Sequence, residues 1–151
     1  MMLGELIRNR ILGAAILSWF IAQLIKLIIA WYNTGEMDFS KLTSAGGMPS
    51  SHSSFTMALA VGVGQVYGYD SALFAISAVF SFVVMYDATN VRLEAGKQAQ
   101  VLNRLVENIQ FNNNFIFKFD IKLKELLGHT PLQVLAGAIL GIIVGIYSVP
   151  R

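Results

Sequence analysis

Residues 11–32 read ILGAAILSWFIAQLIKLIIAWY, an apolar run broken by one charge, Lys26. At 1.5 Å per residue a helix of this length spans about 33 Å, enough to cross the roughly 30 Å hydrocarbon core of a bilayer. Arg8 and Arg10 precede it, as in a signal peptide. The run is too long for one, contains Lys26 and lacks a small-x-small cleavage site, so it reads as a retained membrane anchor. Three further stretches share its character: residues 53–69, slightly short for a span, 71–88 and 131–149. Gly68-Tyr69-Asp70-Ser71 makes a tight turn between the second and third, which are then an antiparallel hairpin. Trp31, Tyr32, Tyr67, Tyr69, Tyr86 and Tyr147 fall near the ends of these runs, where interfacial aromatics sit.

Composition agrees. The chain of 151 residues is 55% hydrophobic and 13% charged, against about 25% charged in a soluble domain. Its net charge of +2 and the lack of a basic, aromatic-interleaved patch exclude a nucleic-acid binder. With no cysteine there is neither a disulfide framework nor a thiolate metal site. No linker or internal repeat divides the chain. The expected fold is an all-α integral membrane helical bundle of about four transmembrane helices plus an amphipathic interfacial helix, with residues 1–151 forming one membrane-embedded domain.

The interfacial helix is expected at residues 100–110, where Val101, Leu102, Leu105, Val106 and Ile109 share one face. It lies in a loop of mixed polarity, residues 89–130. Residues 115–123 alternate apolar and mostly polar side chains, and their conformation stays open. Gly137, Gly141 and Gly145 stand four apart, as do Ala58 and Gly62, a spacing that lets helices approach closely in lipid.

Four spans put the only two histidines, His52 and His129, on one side of the membrane, together with the loops of residues 46–52 and 89–130. Lys26 lies about 9 Å from that side. Seven Lys and Arg fall there (Lys41, Arg92, Lys97, Arg104, Lys118, Lys122, Lys124) against three on the other (Arg8, Arg10, Arg151). The positive-inside rule then puts the histidines in the cytoplasm of a multi-pass cell-membrane protein.

Each histidine stands at the start of an apolar helix. A charge within such a helix is a functional hypothesis by default, which marks Lys26, although a snorkelling lysine would look the same. Ser50 and Ser51 suit helix capping, but capping calls for neither His52 nor the glycines Gly46 and Gly47, which allow backbone amides to point at an anion. Thr130, Pro131 and Gln133 form a capping box and read as structural. His129 is outside that need. It sits at the positive end of the helix dipole, which disfavours imidazolium and favours a bound anion. Asp87, Arg92 and Lys97 follow the third apolar run. An Arg fork suits phosphate oxygens, and a carboxylate orients an imidazole. Interfacial charges at a helix end are the competing reading of these three, and the stronger one only for Lys97. Glu125, four residues before His129, is a rival orienting group.

Three blocks occur in order: Gly46-Gly47-Met48-Pro49-Ser50-Ser51-His52-Ser53, then Asp87-Ala88-Thr89-Asn90-Val91-Arg92 continuing through Ala95-Gly96-Lys97-Gln98-Ala99 to Leu102-Asn103, then Lys124-Glu125-Leu126-Leu127-Gly128-His129-Thr130-Pro131. Together they resemble the divergent branch of the type-2 phosphatidic acid phosphatases, relatives of the vanadium haloperoxidases, over about residues 26–141. The resemblance implies that Lys26 binds phosphate, that Ser50, Ser51 and neighbouring amides such as that of Gly47 cradle it, that His52 protonates the leaving alkoxide, and that His129 forms a phosphohistidine. The chain departs from the superfamily pattern in three places. No Arg-Pro follows Lys26, Leu123 stands where an arginine is usual, and Gln133 stands where a carboxylate is usual. Arg92 and Asp87 are expected to take over the last two roles from another helix, with Lys97 as a further phosphate contact. The superfamily usually has six spans, and four leave a thin bundle that favours a homodimer.

The function expected is a phosphoric monoester hydrolase needing no metal or other cofactor. Its substrate would be a lipid phosphate drawn from the membrane lipids: phosphatidylglycerophosphate first, then phosphatidic acid or a polyprenyl pyrophosphate. The rival is a non-catalytic membrane scaffold or transport protein that binds phospholipid headgroups. A two-histidine metal centre using Asp87 is a weaker third.

Overall fold

The computed structural model describes residues 4–5, 8–35, 46–112, 122–125 and 127–150. Among the described residues, five α-helical segments carry the fold: α1 (Arg10–Thr34), α2 (Ser51–Tyr67), α3 (Ala72–Tyr86), α4 (Arg92–Asn112) and α5 (Pro131–Ser148). A π-helical turn, Asp87–Val91, joins α3 to α4 without a break, so the five segments form four rods.

The long α4 corrects the expectation of a loop after residue 88 with a helix only at 100–110. Arg92 to Gln100 is polar, so no apolar face announces a helix there. It is nevertheless rich in Arg, Leu, Glu, Ala, Lys and Gln, which are strong helix formers. Val101, Leu102 and Leu105, on the expected apolar face, are exposed. Most of the alternating stretch 115–123 lies outside the described residues.

Among the described residues, three helical stretches are long and apolar enough to cross a membrane: Arg10–Thr34, Ala72–Asn108 and Pro131–Ser148. The expected fourth span corresponds to α2, which has 17 residues and is therefore about 25 Å long, short of the bilayer core. Its place is central. It packs against α1, α3 and α5 and buries Ser51, Ser53, Ser54 and Thr56 along with its alanines and glycines. Every one of these hydroxyls is bonded, as groups withdrawn from water must be: Ser51 and Ser54 reach across to α1, while Ser53 and Thr56 bond within their own segment. Ser18 Oγ of α1 and Ser54 Oγ share a short hydrogen bond, and Ser81 Oγ of α3 donates to Thr56 O at 2.7 Å.

The stripe of small residues on α5 does what its spacing suggested. A side chain at Gly137 would run into the carbonyl of Ser50, one at Gly141 into that of Ser54, and one at Gly145 would lie 2.8 Å from Val61 Cβ. The two backbones are in near contact, and the contacts advance together along both chains, so α2 and α5 are parallel. Lys26 meets Ser51, whereas Ile11 meets Gly62, so α1 runs antiparallel to α2. Both helix N-termini, the C-terminal half of α1 and the π turn after α3 thus share one end of the bundle.

Candidate active site

At the start of α2, Ser50 is the N-cap. Its hydroxyl accepts from Ser53 N at 3.4 Å and from Ser53 Oγ at 3.0 Å. Its own N–H donates to Gln133 O at 2.9 Å, which ties the two parallel helix starts together. Ser50 was expected to cradle an anion. Its amide and hydroxyl are instead engaged in holding the fold. Ser51 is buried, and its Oγ accepts from the buried ammonium of Lys26 at 3.2 Å. Gly47 has φ +94°, a left-handed conformation that favours glycine, and a Cβ there would rest on the Lys26 stem at 3.7 Å. His52, next along, is exposed.

The second histidine is held by α4 and the π turn. Asn103, buried on α4, clamps the backbone of Leu123. Its Nδ2 donates to Leu123 O at 2.9 Å and to Glu125 Oε1 at 2.7 Å, while its Oδ1 accepts from Leu123 N at 3.0 Å. Gly96 lets the same segment lie close, since a Cβ there would be 2.6 Å from Glu125 O. Gly128 has φ +83°, and a side chain on it would strike the backbone of Leu93. His129 N then donates to Ala88 O, a carbonyl of the π turn, at 2.9 Å. Single π turns inside α-helices are often found at functional sites. This one supplies an anchor for the histidine and sets Asp87 and Arg92 beside it.

His129 is 3% exposed. Its Nδ1 lies 3.3 Å from Gln133 Oε1, one helical turn further on. That oxygen also accepts from Thr130 N at 3.1 Å, completing the capping box. A carbonyl oxygen only accepts, so the ring carries its proton on Nδ1 and a lone pair on Nε2. Nε2 is buried and has no hydrogen-bond partner. Burial holds the imidazole below its usual pKa. The Gln133 bond opposes this, and the nearby charges of Lys26, His52 and Arg92 reinforce it.

His52, Val84, Asp87, Ala88, Arg92, Gly128 and His129 line a single cavity of about 20 Å³, room for a water molecule or so. The structure therefore brings both histidines, Asp87 and Arg92 to one place, with Lys26 and Ser51 at the adjoining start of α2. Arg92 Nε donates to Asp87 Oδ2 at 2.5 Å.

Lys97 is not in this group. It is 60% exposed and its ammonium pairs with Glu94 at 2.6 Å, one and a half turns along α4 from Arg92. The expected orienting role of Asp87 is also corrected, because its carboxylate faces Arg92, and that of the rival, Glu125, faces Asn103. Gln133 orients the ring. Its position four residues after His129, where a carboxylate is usual, was the available signal, set aside because an amide does not compensate an imidazolium. Asn103 was visible only as part of a motif block, without a role.

The fold and this cavity define a helical membrane protein with a two-histidine pocket at one end of its bundle. The chain belongs to the Divergent PAP2 family, which matches residues 7–144. It is 44% identical over 149 residues to the uncharacterized membrane protein YuiD of Bacillus subtilis (strain 168), covering 92% of this chain and 93% of that one. The family expected from the three motif blocks is the one found. No solved structure matches the chain.

Proposed function

We propose that this chain is a membrane lipid phosphatase acting through a phosphohistidine on His129. The observation that carries the reading is the buried, unpartnered Nε2 of His129, a residue that lines one cavity with His52 and Arg92. A lone pair withdrawn from water, with its tautomer fixed by Gln133, is a nucleophile awaiting an electrophile. In the first step Nε2 attacks phosphorus in line, the bond to the lipid oxygen breaks, and His52 gives that oxygen its proton. In the second, water attacks the phosphohistidine, His52 takes the water's proton, the N–P bond breaks and phosphate leaves. Arg92 and Lys26 offset the charge on the phosphoryl oxygens. Binding requires the cavity to widen, with Arg92 turning from Asp87 to the phosphate. Both groups are partly exposed, at 52% and 35%, so this exchange disturbs no buried pair.

Phosphatidylglycerophosphate is the favoured substrate, ahead of phosphatidic acid and polyprenyl pyrophosphate. The excess of Lys and Arg on the histidine side supports a cytoplasmic site. Gln133 favours the second reading, a headgroup-binding protein without turnover, because an amide compensates an imidazolium less well than a carboxylate does. Phosphate release from a panel of lipid phosphates in detergent, with and without chelator, separates the two. The wild type is expected to release phosphate in both conditions, and His129→Ala is not. Activity that survives both His129→Ala and His52→Ala would defeat the mechanism.

A further inference from the structure

Two apolar grooves flank α3, each within the range of about 300–1,000 Å³ typical of ligand clefts. One, of about 410 Å³, lies between α1 and α3 over α2, walled by Ile16, Trp19, Phe55, Phe80 and Val84, with His52 among its lining residues. The other, of about 710 Å³, lies between α3 and α5 and is walled by residues such as Met57, Val83, Met85 and Leu135. Both are bordered by side chains exposed on the lipid-facing surface, Ile16 and Phe80 in the first case and Val83 and Leu135 in the second. Size alone would favour the second groove.

Continuity favours the first. His52 and Val84 line both the α1–α3 groove and the small cavity that His129 lines. The α3–α5 groove shares no lining residue with that cavity. A lipid phosphate has its hydrocarbon chain covalently joined to its headgroup, so the chain must leave the phosphate site through a continuous path.

We infer that the α1–α3 groove receives the hydrocarbon chain of the phosphate-bearing lipid, entering sideways from the bilayer with His52 at the junction of chain and phosphate. The inference rests on the phosphatase reading and deepens it. It places the groups in the order His129, phosphorus, leaving oxygen, His52, chain. In-line displacement requires that order, since the leaving oxygen is the one that carries the lipid and departs on the side opposite the nucleophile. The histidine that protonates it must border the chain's channel, and His52 does while His129 does not.

The test uses the full chain in detergent micelles with two steric blocks, Ile16→Trp in the α1–α3 groove and Leu135→Trp in the α3–α5 groove. Both positions are exposed, so the larger ring is accommodated without repacking a core. Hydrolysis is compared for a dioleoyl lipid phosphate and its short-chain, water-soluble counterpart. Ile16→Trp is expected to lower kcat/KM for the long-chain substrate by about tenfold or more and to leave the short-chain value within about twofold, with Leu135→Trp near wild type on both. The reverse pattern, or equal effects of the two blocks, overturns the assignment.

A second measurement does not depend on turnover. A lipid phosphate carrying a photoreactive diazirine near the end of its chain is crosslinked to the wild type, and labelled peptides are mapped. Labelling around Ile16, Trp19 and Phe80 that excess dioleoyl phosphatidate suppresses and phosphatidylcholine does not supports the groove. If that labelling appears while the wild type releases no phosphate, the phosphatase reading fails and the groove stands as a lipid-phosphate site. Labelling that phosphatidylcholine suppresses equally marks bulk membrane lipid only and overturns the inference, as does labelling confined to the α3–α5 groove.

Discussion

Nδ1 of His129 lies 3.3 Å from Oε1 of Gln133, and the same oxygen completes the capping box of α5 through Thr130 N. One amide therefore starts the helix and sets the tautomer of the ring. Gln133→Ala removes both functions. It is expected to lower helix stability by about 1 kcal/mol and kcat by roughly tenfold or more, as follows when a catalytic histidine loses the partner that fixes its tautomer. Gln133→Glu keeps an acceptor in both places and adds a charge that favours imidazolium, so it is expected to stay active while its acid limb moves to higher pH. Thermal unfolding in detergent and pH–rate profiles of the two variants check this.

The pH dependence of the wild type follows from the burial of His129. The neutral ring is the nucleophile, and burial holds its pKa below the ordinary histidine value. The acid limb of kcat/KM assigned to His129 is therefore expected below that ordinary value, with protonation switching activity off only there. Stability has the matching sign. As pH falls below the ordinary histidine pKa, the unfolded chain takes up a proton that the folded chain does not, so His129 makes folding less favourable until the folded-state value is reached. Titration of the His129 imidazole by NMR, with His52→Gln as the assignment control, gives the value directly.

Arg92 pairs with Asp87 in solvent, a contact that contributes little to stability. Arg92→Ala is expected to leave the unfolding temperature close to wild type while lowering kcat/KM by about 10²- to 10³-fold, the range lost with one oxyanion-stabilising donor. Arg92→Lys keeps the charge without the fork and should fall between. Loss of activity that tracks loss of folded protein would contradict a phosphate-binding role.

Lys97→Ala tests the correction made by the structure. Its ammonium is paired with Glu94 on an exposed face, away from the cavity. Activity is expected within about twofold of wild type and stability within about 0.5 kcal/mol. A loss like that of Arg92→Ala would return Lys97 to the site.

Asn103 holds the segment that leads to His129 through three hydrogen bonds. Asn103→Ala removes the side-chain partners of the Leu123 backbone N–H and C=O at a part-buried contact, a loss of about 1 kcal/mol per hydrogen bond. Faster amide exchange at residues 122–125 and 127–129, with kcat falling more than KM changes, is the expected result. Unchanged exchange there would show that α4 does not position the histidine loop.

Much of this arrangement could be read from the residues. The apolar runs fix α1, α3 and α5 because membrane length and hydrophobicity are local properties of a sequence. The capping box at Thr130 gives the start of α5 for the same reason. Counting spans carries His52 and His129 to one end. What escaped depends on tertiary contact. The continuation of the third rod through Arg92 and Gly96 shows no apolar period, since that stretch is helical by propensity. The central place of α2 is set by glycines of α5 that meet its backbone, and those glycines have no sequence signature of their partner. Gln133 was assigned one role because its capping bond is local, while its bond to His129 depends on how the ring turns. Asn103 joins segments 20 residues apart through side chain to backbone, a pairing that no spacing rule anticipates.

The central claim is that Nε2 of His129 becomes covalently bonded to phosphorus. The most direct measurement is rapid acid-free quenching of the full-length protein with a ³²P-labelled lipid phosphate, followed by peptide mapping of the label. An acid-labile, alkali-stable phosphoramidate on His129, trapped in the wild type and absent from His129→Ala, is the result expected. Turnover of the same lipid with no label on His129 under any quench, or label on another residue, would contradict it.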